Sequence, residues 1–267
     1  MTSNNPTPKK KLGQHWLEDK ATLREIVSYA DLDPNEDIVL EIGPGLGSLT
    51  SELVNSAKSV IAVELDKNLS DKLKKIIKTD NLDVVNGDIL TFDLNQLNPD
   101  YKIVANIPYY LTSNLIRVIS ETTNPPELIV LLVQKEVAER LAALPGSLSI
   151  LGVTTQFYWE VEQKVIVPAE MFTPPPRVDS QVVVLSRRPT ALFGDVDTKK
   201  FFRLVKIGFS ARRKTLENSL SNGFREGKDL VSELLREANL DPSTRPQNLS
   251  LEDWHKLYKV CIDRNLI

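Results

Sequence analysis

Side chains suited to redox or metal chemistry are scarce in this 267-residue chain: one cysteine, Cys261, and two histidines, His15 and His255. A single thiol closes no intrachain disulfide, and two imidazoles beside it form no zinc ligand set, so neither redox chemistry nor a bound metal is expected. Long apolar runs are missing too. The longest, such as Leu128–Val133, fall far short of the roughly 20 residues of a membrane helix, and Met1–Pro6 offers no hydrophobic stretch for a signal peptide. The chain is therefore expected in the cytoplasm, without membrane contact. Neither sign of charge prevails: 33 Lys and Arg stand against 36 Asp and Glu, a net −3, which points to no polyanionic partner. With 41% hydrophobic residues, what remains is a globular protein of one large or two modest domains.

The local charge distribution says more. Between Lys199 and Lys228 lie nine basic residues (Lys199, Lys200, Arg203, Lys206, Arg212, Arg213, Lys214, Arg225, Lys228) and two acidic ones (Glu217, Glu226), a local excess of +7. Such an island suits a phosphate backbone, although most basic runs are simply solvated helix faces. Phe201, Phe202 and Phe209 are interleaved with it and serve equally well as core anchors.

Residues 1–11 read as a flexible basic arm and Asp19–Ala30 as a capped helix. From Ile38 short β-rich runs alternate with helical stretches: strands at 38–42, 60–63, 82–85, 102–105 and 128–133, helices from about Ser48, over 68–78, and from Ser113 and Lys135. Strict alternation predicts right-handed βαβ crossovers, a mostly parallel sheet, and ligands beyond the carboxyl ends of its strands. Gln163–Val167 and Gln181–Leu185 read as an antiparallel pair at the sheet edge. After Arg188 the β-branched runs stop, and Lys199–Phe209, Arg213–Ser221, Asp229–Ala238 and Leu251–Asn265 read as amphipathic helices. The expected division is 1–188 for the α/β domain and 189–267 for a small helical domain that binds RNA.

Glu41, Gly43, Gly45 and Gly47 directly follow the first long strand and open a helix. Glycines there let the backbone turn tightly and approach a ligand. The G-x-G-x-G spacing differs from the dinucleotide fingerprint, and no Lys-Ser/Thr follows as in a P-loop, so a pyrophosphate is not favoured. Glu64 closes the second strand, where a carboxylate can accept from both hydroxyls of a ribose, and Asp88 follows the third, placed for the exocyclic amine of an adenine. Each is unremarkable alone as a loop acid; together they describe S-adenosylmethionine. Asp66 reads as structural.

Asn106, Ile107, Pro108 and Tyr109 follow the fourth strand. An adenine N6 is a poor nucleophile because its lone pair is delocalised into the ring. The Asn106 side-chain carbonyl and the Ile107 backbone carbonyl can accept its two hydrogens, while Tyr109 stacks on the flipped base. The bland alternative is a rigid proline turn with an asparagine cap.

These motifs resemble the KsgA-type rRNA adenine N6,N6-dimethyltransferases over nearly the whole chain. The resemblance rests on K-K-L-G-Q-H-W-L-E-D at 10–19, V-L-E-I-G-P-G-L-G-S-L-T at 39–50, V-E-L-D at 63–66, G-D at 87–88, N-I-P-Y at 106–109, F-T-P-P-P-R-V-D-S at 172–180 and F-S-A-R-R-K-T-L at 209–216. It implies a Rossmann-like class I methyltransferase fold with a mostly parallel sheet and a C-terminal helical domain. It also implies cofactor contacts from Gln14, His15, Leu17, Gly43, Gly45, Glu64, Asp88 and Asn106, and a target base sandwiched by Tyr109 and Phe172. Two adjacent adenosines in the 3′-terminal hairpin of small-subunit rRNA would each be methylated twice, within a pre-ribosomal subunit, by a monomer. Lys199, Lys200, Arg203, Lys206, Arg212, Arg213 and Lys214 would bind RNA. Three departures stand out: His15 where the family usually has Asn, Trp16 for Phe, and Asn114 where Pro is frequent. The alternatives are an Erm-type large-subunit methyltransferase and a non-catalytic RNA-binding assembly or transcription factor.

Overall fold

The computed structural model describes residues 8–9, 12–211 and 213–267. Two compact units divide the chain: one of residues 1–139 and 159–187, the other of 140–158 and 188–267. The arm expected over 1–11 lies outside the described residues except for Pro8 and Lys9.

The first unit opens with β1 (Trp16–Leu17) and α1 (Lys20–Ser28), which starts where the Asp19 carboxylate accepts from the Thr22 N–H at 2.8 Å. There follow β2 (Ile38–Ile42), α2 (Ser48–Leu53), β3 (Ser59–Glu64), α3 (Lys67–Ile76), β4 (Leu82–Asn86), β5 (Lys102–Asn106), α4 (Thr112–Glu121), β6 (Leu128–Gln134) and α5 (Lys135–Leu141), whose last two residues fall in the second unit. Alternation is not strict. Only a short 3₁₀ turn at Leu94–Gln96 links β4 to β5, in a stretch whose Asp93 side chain bonds the Asn95 N–H at 3.0 Å and so favours a turn over a helix.

Strands β7 (Trp159–Val167), β8 (Phe172–Thr173) and β9 (Ser180–Arg187) complete the unit. The seven-stranded sheet runs β4-β3-β2-β5-β6-β9-β7, parallel through β6 and antiparallel at β9 and β7. The expected edge pair is present, with β9 between β6 and β7. Residues 129–133 of β6 are fully buried, as a parallel strand covered on both faces requires. From β2 the chain winds outward through β3 and β4, then returns to lay β5 on the other side of β2. That reversal leaves a crevice beyond the carboxyl ends of β2 and β5, the usual ligand position in such sheets. Separately, β1 and β8 pair antiparallel, Trp16 opposite Thr173 and Leu17 opposite Phe172.

The second unit holds α6 (Ile150–Tyr158), α7 (Thr198–Gly208), α8 (Leu216–Phe224), α9 (Lys228–Glu237) and α10 (Leu251–Asp263). The contiguous helical domain expected over 189–267 is corrected: 140–158 belongs with it. Phe157 of α6 lies 5.1 Å from Phe201 and 5.2 Å from Phe202, ring centre to ring centre, inside the cluster that buries Leu204, Leu220, Leu234 and Trp254. A Cβ on Gly208 would come within 2.4 Å of the Trp254 ring, so glycine is what lets that indole approach α7. The helix expected from Arg213 starts at Leu216, where the Thr215 hydroxyl accepts from the Asn218 N–H. Arg213 and Lys214 therefore lie in the preceding turn.

Candidate active site

A cleft at the crevice between β2 and β5 gathers the turn after β2, the ends of β3 and β4, the turn after β5 and the approach to β1. The backbone of the first turn needs glycine. Gly45 has φ 59°, and a Cβ there would sit 3.2 Å from the Trp16 indole. Gly47, at φ 86°, precedes α2, and a Cβ there would come within 2.5 Å of Leu73.

Glu64 ends β3 with both carboxylate oxygens held: Oε2 accepts the Gly45 N–H at 3.1 Å and Oε1 the Asp66 N–H at 2.8 Å. Burial nevertheless raises its pKa above the usual carboxylate range. Two N–H donors fix the plane, while the remaining lone pairs can receive a vicinal diol. Asp88, in the loop after β4, is exposed and accepts the Leu90 N–H at 2.9 Å. Asp66 caps α3 through the Asn68 N–H at 3.0 Å and pairs with the Lys9 ammonium at 2.7 Å, a structural place.

Glu41, on β2 just before the glycine turn, has no role that the sequence alone assigns. It is 1% exposed, and its Oε2 has no hydrogen-bond partner among the described residues. Burial, with the Glu64 charge adding to it, pushes its pKa to about 8. The only sequence signal is an acid before the first glycine.

Asn106 ends β5. Its Nδ2 donates to the His15 carbonyl at 3.4 Å, which turns the carboxamide nitrogen toward the β1 approach and leaves Oδ1 as the acceptor for another group. The Ile107 side chain is buried and Pro108 begins a 3₁₀ turn over Tyr109–Leu111. The Tyr109 phenol shares a hydrogen bond of 2.8 Å with Ser180 Oγ, and burial raises its pKa, so it remains neutral. Its ring is stacked with His15 at 5.7 Å between centres and 18° between planes. Tyr110, 58% exposed, stands at the rim.

The cleft thus brings together Gln14, His15, Leu17, Gly43, Gly45, Glu64, Asp88, Asn106, Ile107, Pro108 and Tyr109, all expected from sequence. Phe172 is the exception, lying outside the cleft lining. It is 2% exposed and packed into the apolar core because its pairing with Leu17 in the β1–β8 sheet puts the ring there. Besides Glu41, the cleft adds Trp16, Leu65, Leu90 and Tyr110. From sequence, Trp16 offers only aromatic packing.

In the second unit Lys199, Lys200, Arg203 and Lys206 are exposed on α7, and Arg213 and Lys214 are exposed in the turn before α8. Arg212 lies outside the described residues. The interleaved aromatics are core anchors: Phe201 is fully buried, and Phe209 stacks on Trp254 at 5.6 Å.

The donor set fits an adenosyl sulfonium ligand: a glycine cradle, a fixed carboxylate for a diol, and in Glu41 a buried carboxyl, one oxygen of it without a partner among the described residues, that a positive charge would complement.

A family model for ribosomal RNA adenine dimethylase matches residues 5–263. Ribosomal RNA small subunit methyltransferase A of Dehalococcoides mccartyi (strain CBDB1) is 41% identical over 253 residues, 93% of this chain and 87% of that protein. The protein of the same name from Bacillus cytotoxicus is 37% identical over 271 residues, covering 97% and 92%. Among solved structures, a dimethyladenosine transferase from Plasmodium falciparum superposes with a TM-score of 0.80 at 28% identity, covering 94% of this chain and 98% of that one. The 23S rRNA methyltransferase ErmE gives 0.74 at 29%, covering 92% and 98%.

Proposed function

Because this chain belongs to the ribosomal RNA adenine dimethylase family, we propose that it is a small-subunit enzyme which transfers methyl groups from S-adenosylmethionine to adenine N6 of 16S rRNA. The sheet is the Rossmann-like methyltransferase sheet. The acceptors are two adjacent adenosines of the 3′-terminal hairpin, each dimethylated, and the working partner is a pre-ribosomal subunit in the cytoplasm, met by a monomer.

One observation carries the assignment of roles: the Asn106 amide nitrogen is taken up by the His15 carbonyl, so Oδ1 is the group left to face an incoming amine. Asn106 Oδ1 and the Ile107 carbonyl accept the two N6 hydrogens and concentrate the lone pair on nitrogen. Their dipoles are already oriented and favour the positive charge that develops there; the methylated nitrogen is acidic enough to release its extra proton to water, so no shifted side-chain base is needed. Tyr109, neutral and held by Ser180, offers a stacking face for the everted base. Glu64 accepts the ribose hydroxyls and Asp88 the adenine amine of the cofactor, with Gln14, His15, Leu17, Gly43 and Gly45 around it. The cofactor supplies an electrophilic methyl group. Lys199, Lys200, Arg203, Lys206, Arg212, Arg213 and Lys214 meet rRNA phosphates.

The relatives at 37–41% identity are small-subunit enzymes by name, which favours that subunit over the Erm-type reading. The test is incubation with labelled S-adenosylmethionine and, separately, undermethylated small and large subunits. Label in dimethyladenosine of 16S rRNA is expected; label only in 23S rRNA, or none, refutes the assignment.

A further inference from the structure

The proline-rich segment between β8 and β9 has an anchor at each end. At Pro174 the backbone carbonyl lies 2.7 Å from His15 Nδ1. A carbonyl only accepts, so Nδ1 carries the hydrogen and donates, which fixes both the tautomer and the plane of the imidazole. At Ser180 the hydroxyl lies 2.8 Å from the Tyr109 phenol oxygen. The rings held by these anchors meet each other, 5.7 Å apart and 18° from parallel. Tyr109 is thereby restrained at its tip by Ser180 and on one face by an imidazole that Pro174 itself restrains.

We propose that His15 is a positioning residue for the methyl acceptor: its ring backs Tyr109 and sets the plane on which the target adenine stacks, leaving the opposite face for the base. This rests on the reading of Tyr109 as the stacking residue. It departs from the role implied by the family resemblance, in which this position contacts the cofactor. It also places a second aromatic ring against Tyr109. The His15 side chain bonds Pro174 and stacks on Tyr109, while its backbone carbonyl holds Asn106. One residue thus orients both parts of the catalytic turn, the amide through its main chain and the phenol through its side chain. An asparagine here would keep the first function, and only a flat ring performs the second.

The test uses the full-length protein with undermethylated small subunits, S-adenosylmethionine binding by calorimetry, and the variants His15→Ala, His15→Phe and Ser180→Ala. His15→Ala is expected to lower kcat about 10-fold, as a modest misplacement of reacting groups does. KM for the subunit and the calorimetric Kd for S-adenosylmethionine should stay within about 2-fold. His15→Phe keeps the stack without the Pro174 hydrogen bond and should recover most of the rate. Ser180→Ala should reproduce the kcat loss, and the double variant with His15→Ala should lose less than the product of the two, since both act through one ring. A His15→Ala kcat within about 2-fold of the parent overturns the proposal. So does a cofactor Kd weakened about 10-fold in both His15 variants, which would return the residue to the cofactor. Asn106→Ala tests the underlying reading by itself: full transfer by that variant would sink the assigned chemistry whatever His15 does.

Discussion

Replacing Glu41 by glutamine probes the least expected feature of the cleft. The carboxyl is fully enclosed, one of its oxygens lacks a partner among the described residues, and its pKa rises from 4.5 to about 8. Because the folded-state value lies above the unfolded one, the native protein binds more protons than the unfolded chain between the two, and stability falls as pH rises through that window. With 4.5 for the unfolded chain and about 8 for the native protein, retaining Glu41 costs about 1 kcal/mol at pH 5, about 3 kcal/mol at pH 7 and about 5 kcal/mol at pH 9. Glutamine does not titrate, so whatever fixed penalty its amide brings is the same at every pH. The stability difference between Glu41→Gln and the parent should therefore shift toward the variant by roughly 4 kcal/mol from pH 5 to pH 9. Equilibrium unfolding by denaturant, without cofactor, at several pH values measures it. A difference that stays flat across this range would mean that Glu41 is charged and well solvated in the native protein, and the reasoning from its enclosure would be wrong.

Glu64→Gln should weaken S-adenosylmethionine binding by about 30-fold or more in calorimetry, since it replaces one acceptor oxygen of a fixed carboxylate with a donor. Gly47→Ala should destabilise the protein by roughly 1–3 kcal/mol, through a positive φ and a 2.5 Å approach to Leu73, with the shortfall visible in denaturant midpoints. Changing Lys199, Lys200, Arg203 and Lys206 together to alanine should reduce the slope of log affinity for small subunits against log salt by about one for each phosphate that is no longer neutralised, while leaving cofactor affinity unchanged. An unaltered salt slope would remove α7 from the RNA-binding surface.

Elements whose residues decide their own state were legible in the sequence. β2 is apolar except for Glu41 and β6 except for its last residue, and the helix after Asp19 carries its own cap. Elements decided elsewhere in the fold were not. β1 and β8 are two residues each and exist only because Trp16 and Leu17 meet Phe172 and Thr173 from a distant part of the chain. That pairing also hides the place of Phe172, since a motif reveals a ring but not which side of a strand it takes. α6 carries β-branched residues and a glycine, poor helix signals that packing overrides: Gln156 Nε2 reaches the carbonyls of Leu141 and Ala143 at 2.9 Å each. In the cleft, acids at successive strand ends were found because strand order and spacing expose them. Glu41 shows in the sequence only as the acid before the glycine turn, since nothing local marks it as buried, and the ring contact of His15 depends on Tyr109, far along the chain.

The crossing of the chain between units at Glu139–Arg140 and again at Tyr158–Trp159 has a practical consequence for dissecting the protein. A stop codon after Arg187 would not yield the first unit alone. It would leave α6 attached as an orphan, with Val153 and Phe157 stripped of Phe201, Phe202 and Trp254. Such a fragment would present a greasy stripe to solvent and is expected to precipitate or recruit chaperones. A clean excision also has to replace residues 140–158 with a short polar bridge.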